Sequence, residues 1–146
     1  MRDQTKRLYD SEDAACKASG RFRTIEDAVR YASCVTNRTA VRRLLEGIGK
    51  ISFFRKDGEY SYSQYGTGGM SRITLNKHGM CTQVLIHELA HLIVSRHYKK
   101  AVDHGPEFAG VYLWLTGLMN KRRGRILIAG YAAYKVKLIP FFGEIL

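Results

Sequence analysis

The sequence predicts a single α+β domain over residues 1–146, with helices at both ends and a small sheet between them. Three observations predict it. Apolar residues recur at helical spacing up to about residue 47 and again from about residue 82. Between these stretches lie three short β-prone runs punctuated by glycine. No internal repeat, low-complexity tract or Pro/Ser-rich linker divides the chain, whose 146 residues suit one core.

The elements follow in order. Thr24 with Asp27 resembles a capping box, and Ile25, Ala28, Val29 and Ala32 form an apolar stripe behind it. Asn37 is placed to cap a further helix through Val41, Leu44 and Leu45, with Gly47 as its stop. Residues 50–54 and 59–63 flank Asp57-Gly58, a hairpin signal, and residues 71–75 give a third strand. The expected sheet is therefore a small antiparallel one of about three strands. Gly66-Thr67-Gly68-Gly69 lacks the Gly-Lys-Ser/Thr of a phosphate-binding loop and reads as a turn, or as a mobile loop beside a cleft. Residues 82–98 are apolar almost all round, so that helix should be buried. Phe108, Val111, Tyr112, Leu115 and Met119 mark another helix, and a last one is expected near residues 124–136. Trp114, Leu118, Ile126, Ala133 and the run Ile139-Pro140-Phe141-Phe142 are expected to close the core.

The buried helix carries His87-Glu88-Leu89-Ala90-His91, an H-E-x-x-H motif. Residues four apart share a helix face, so His87 and His91 can hold one metal ion. Glu88 is placed to take a proton from water at that ion. A catalytic zinc normally has three protein ligands and one open position. His97 has the spacing of H-E-x-x-H-x-x-G-x-x-H, but Val94 stands where that pattern needs glycine. The helix should continue through Val94 and turn His97 about 120° away from His91. His104 is the better third ligand. It heads His104-Gly105-Pro106-Glu107-Phe108, where Pro106 suits the first turn of a new helix. Glu107 is an alternative ligand, and it or Asp103 could instead orient a ligand by hydrogen bonding from behind it. Tyr98 and Tyr112 are candidate donors to a developing oxyanion. His78 has no assigned role.

These two motifs together resemble the SprT-like zinc metalloprotease domain, the group containing Spartan, over about residues 71–115. The resemblance implies a minimal zincin-like fold, Zn²⁺ on His87, His91 and His104, and Glu88 as the catalytic residue. Outside that window the chain is similar to bacterial and phage proteins described only as metallohydrolases. It shares with them Arg2-Asp3-Gln4, Arg7-Leu8-Tyr9-Asp10 and Gly20-Arg21-Phe22-Arg23-Thr24. Many SprT proteins add a four-cysteine zinc ribbon, whereas this chain has no cysteine after Cys81. Any nucleic-acid contact would then use the basic C-terminal helices.

Composition sets the remaining bounds. No apolar run approaches the roughly 20 residues of a membrane span, and the polar start gives no secretory signal. Cys16, Cys34 and Cys81 lie far apart without C-x-x-C, which suits reduced thiols in the cytoplasm of a bacterium or a phage-infected cell. The net charge is +11, and residues 96–137 hold nine basic and two acidic residues. Lys121, Arg122, Arg123 and Arg125 are candidate phosphate contacts, or equally a solvated turn between helices. The leading expectation is a zinc metallopeptidase acting on proteins or peptides, including proteins associated with nucleic acid. The competing expectation is a basic nucleic-acid-associated protein with a structural or vestigial zinc site. A hydrolase of a non-peptide amide shares the same motif.

Overall fold

The computed structural model describes residues 4–144. Arg2 and Asp3, on which part of the family resemblance rests, lie outside the described residues. The fold is α+β. Helix α1 (Thr5–Lys17), α2 (Ile25–Thr36) and α3 (Thr39–Leu44) come first. Strands β1 (Ser52–Arg55), β2 (Tyr62–Gln64) and β3 (Arg72–Leu75) follow. Helices α4 (Thr82–His97), α5 (Pro106–Met119) and α6 (Lys121–Ala133) complete the chain.

Local sequence explains most of these boundaries. Thr24 and Asp27 form the full capping box of α2. Pro106 occupies the first turn of α5, where its missing N–H costs nothing. Asn37 caps the end of α2 and not the start of α3, whose N-cap is Arg38. The last helix begins at Lys121, earlier than expected, because the Asn120 side chain accepts the Arg123 N–H and caps it.

The sheet departs from expectation. Its order is β1-β3-β2, with β1 parallel and β2 antiparallel to β3. The sheet is thus mixed, and β1 and β2 do not form the hairpin that Asp57-Gly58 suggested. Burial explains the exchange. Ile73, Thr74 and Leu75 of β3 are all buried, whereas β1 and β2 are half exposed, so the most apolar strand takes the centre. Gly68 and Gly69 bond back to the Gly47 and Ile48 carbonyls, which makes the glycine cluster a packed turn.

Helix α4 runs through the middle with eleven buried residues, and its neighbours include α5, α1, α2 and the sheet. Leu85, Ile86, Leu89, Leu92 and Ile93 are fully enclosed. Helix α1 lies close against α6, where a β-carbon at Gly130 would overlap the Ser11 carbonyl. That approach fixes how deep α1 sits. Phe141 is buried against Trp114, their rings 5.1 Å apart. Ala133, Ile139 and Phe142 are exposed, so Leu127 and Tyr131 close this side of the core in their place. No described helix is long and apolar enough to cross a membrane.

Candidate metal centre

The motif histidines project from the buried stretch of α4, and His104 ends the turn that leads into α5. Their Nε2 atoms converge. His87 and His91 are 3.2 Å apart, His87 and His104 3.2 Å, and His91 and His104 3.1 Å. His87 and His104 are 4% and 3% exposed. Phe108, two positions into α5, stacks on the His91 ring at 4.2 Å between centroids.

Behind each ring, Nδ1 faces an acceptor. His87 Nδ1 lies 2.9 Å from Glu12 Oε2, and His104 Nδ1 lies 2.9 Å from Thr5 Oγ1. Asp103 reaches two rings, with Oδ1 3.5 Å from His91 Nδ1 and Oδ2 3.4 Å from His104 Nδ1. A neutral imidazole carries one N–H. With that hydrogen on Nδ1, three Nε2 lone pairs point at one another across about 3 Å. Only a cation or a shared proton between them relieves the repulsion. These three nitrogens could hold a metal ion.

The electrostatics agree. Burial draws His87 towards its neutral form, but the Glu12 carboxylate, with Glu88 and Asp103 adding to it, outweighs that pull and the ring is raised above its usual value. Burial and the two neighbouring rings push His91 down to about 2. The cluster therefore cannot carry three imidazolium charges. Glu88 is 5% exposed, and burial raises its carboxyl, with His87 and a hydrogen bond from Ser63 of β2 acting against that rise.

Two clefts open on the cluster. One of about 170 Å³ lies on the Glu88 side, rimmed by Tyr9, Glu59, Tyr60, His78 and Val84. One of about 340 Å³ lies on the His91 side, rimmed by Ser95, Tyr98, Lys99 and Asp103. Asn76 sets the first rim. Its buried amide donates to the Gly58 and Glu59 carbonyls, and its Oδ1 accepts from Ser61 Oγ and the Gly79 N–H. A larger cavity of about 460 Å³ lies between α2, the α3–β1 connection and β1, and none of the three histidines lines it.

The remaining candidates separate clearly. His97 Nε2 is bound to the Leu44 carbonyl at 2.6 Å, away from the cluster. Glu107 lies in the first turn of α5 and is not one of the three residues whose ligand atoms converge. Tyr112 is fully buried and its hydroxyl donates to Glu12, so it is not open to a substrate. Lys121, Arg122 and Arg125 are exposed. Arg123 is not a surface contact: it is 7% exposed and its NH1 donates to Thr82 Oγ1. Strand β3 is paired on both edges, so the free edge beside α4 belongs to β2.

Sequence reading missed the contribution of α1. Thr5, Tyr9 and Glu12 follow i, i+4, i+7 spacing and so share one helix face. Tyr9 is 42% exposed, its ring 5.9 Å from that of His87 and 5.1 Å from that of His104. Partial burial and then the Glu12, Glu88 and Asp103 carboxylates raise its phenol to about 12. A polar residue every third or fourth position on one face of an otherwise ordinary helix was the available signal. Comparison with protein-family models, curated proteins and solved structures finds no match.

Proposed function

We propose that the protein is a zinc-dependent hydrolase, most simply a metallopeptidase. One observation carries the reading: three Nε2 atoms meet at 3.1–3.2 Å while the opposite nitrogen of each ring is engaged by Glu12, Thr5 or Asp103. The donor set fits zinc. At the usual zinc–nitrogen distance of about 2.0–2.1 Å, this spacing corresponds to angles near about 100°, close to tetrahedral. Structural zinc sites are closed by four ligands, whereas three leave a position for water. Support for hydrolysis comes from Glu88, which is adjacent to His87 in sequence and opens on a cleft.

His87, His91 and His104 would hold the ion. Zn²⁺ there supplies a Lewis acid that brings the acidity of water to near neutral pH and polarises a carbonyl. Glu88 takes the proton from water on its carboxylate and delivers it to the leaving amine. Burial makes its carboxyl a weaker acid than usual, and a more basic carboxylate takes up the proton of water more readily. Tyr9, which keeps its phenolic hydrogen at neutral pH, is the donor on the cleft side for a developing oxyanion. The free edge of β2 offers main-chain pairing to an extended peptide.

Zinc analysis of the purified wild type beside His104→Ala and His97→Ala tests the ligand set. Wild type and His97→Ala should retain one equivalent, and His104→Ala should lose it. The opposite pattern refutes the assignment. Turnover of casein, with and without single-stranded DNA, tests the substrate class. A protein that holds zinc, cuts nothing, and binds DNA equally well as Glu88→Gln would instead be a binding protein with a structural site.

A further inference from the structure

Buried side chains with no part in the proposed reaction connect the histidine cluster to the last helix. Arg123 of α6 donates from NH1 to Thr82 Oγ1, and the same nitrogen lies 3.5 Å from Gln83 Oε1. Gln83 is fully buried and donates from Nε2 to the Tyr112 hydroxyl at 2.9 Å and to Thr116 Oγ1 at 2.9 Å. Tyr112 donates to Glu12 Oε2 at 2.5 Å, and that oxygen also faces His87 Nδ1 at 2.9 Å.

The direction of this chain is set at its ends. A guanidinium only donates and a carboxylate only accepts. Between them, the Gln83 amide is the member that rotation could reverse. With Oε1 towards Arg123, both amide hydrogens face the hydroxyls of Tyr112 and Thr116. Tyr112 then receives a hydrogen bond from Gln83 and gives its own hydrogen to Glu12. Rotated by half a turn, the amide would set its NH₂ against the guanidinium and draw the Tyr112 hydrogen away from Glu12. The cation on α6 therefore favours the amide orientation that leaves the Tyr112 hydrogen on Glu12.

We propose that Arg123 is a positioning residue for metal loading. Acting through Gln83, Tyr112 and Glu12, it holds His87 with its Nδ1 hydrogen on Glu12 and its Nε2 turned to the ion. The proposal rests on the metal-binding part of the reading above and is independent of what is hydrolysed.

The test measures Zn²⁺ affinity by competition with a chromophoric chelator, with thermal unfolding and ¹⁵N NMR of the histidine rings on the same samples. Gln83→Glu is the informative variant. It keeps the shape and gives Arg123 a carboxylate to pair with, but it cannot donate to Tyr112. Tyr112→Phe removes the next link. Both should stay folded and bind Zn²⁺ about 10–100-fold more weakly, the usual effect of losing a group that orients a ligand. Arg123→Lys, which can still donate to Gln83, should recover affinity that Arg123→Met loses. The wild-type His87 ring should carry its hydrogen on Nδ1. Wild-type affinity in both folded variants overturns the proposal, because a merely structural chain predicts that outcome for Gln83→Glu. Should that variant not fold, Tyr112→Phe decides alone. A wild type that binds no Zn²⁺ at all would be a different failure, that of the metal centre itself.

Discussion

The two sides of the histidine cluster are built differently. On the α1–α5 side, Glu12, Tyr112 and Gln83 are buried and hydrogen-bonded to one another. On the other side, Ser63 lies on a free sheet edge, Tyr60 is 63% exposed, and the Asp103 side chain is 69% exposed. One side can hold a ligand ring in a fixed orientation because low dielectric strengthens each of its bonds. The other can admit a substrate because little is packed over it. The contrast teaches that holding an ion and meeting a substrate would make opposite demands on burial, and that α4 lies between two environments that would suit one each.

The largest effect should come from the buried carboxylate that borders the open side. Glu88→Gln should leave zinc content and thermal stability close to wild type while lowering turnover by about 100- to 10,000-fold. Equal turnover would remove Glu88 from the mechanism. Next, Glu12→Gln and Asp103→Asn set the two environments against each other. Chelator competition should show about a 10–100-fold loss of zinc affinity for Glu12→Gln and a smaller loss for Asp103→Asn, whose carboxylate is open to solvent. Equal losses would abolish the contrast drawn here.

The pH dependence sharpens it further. Metal binding requires His87 Nε2 to be free of a proton, and Glu12 raises this ring above its usual value. Zinc affinity should thus be full above the raised His87 value and weaken as pH falls through it. In the metal-free protein the sign reverses for this group. Its contribution to stability is present below about 6.5 and is lost as pH rises through the folded value. Chelator competition and thermal unfolding across about pH 5–9 check both signs. The smallest effect belongs to the open side. The Ser63 hydrogen bond lowers the Glu88 carboxyl, so Ser63→Ala should raise it and move the acid limb of the rate profile to higher pH. A shift to lower pH would contradict that bond.

Legibility in the sequence followed the range of the interactions. Helices α2, α4 and α5 were readable because caps, Pro106 and apolar periodicity act within a few residues. So were His87 and His91, which one helical turn brings together, and His104 with the short turn before Pro106. The sheet order was not readable. Asp57-Gly58 favoured a local hairpin, but the burial of Ile73, Thr74 and Leu75 required β3 in the centre. Nor did composition reveal that Arg123 points inward while Lys121, Arg122 and Arg125 point outward, since four neighbouring cations look alike until α6 is docked on α1 and α5.

By itself, then, the sequence determined the α+β class, the motif helix, and three imidazoles with a glutamate at a spacing that suits one ion. Only the tertiary structure decided which groups stand behind those imidazoles. Glu12 and His87 are 75 positions apart, and Glu12 and Tyr112 are 100 apart. Such pairs depend on how helices pack, and packing is a property of the whole core. No local pattern of residues specifies it.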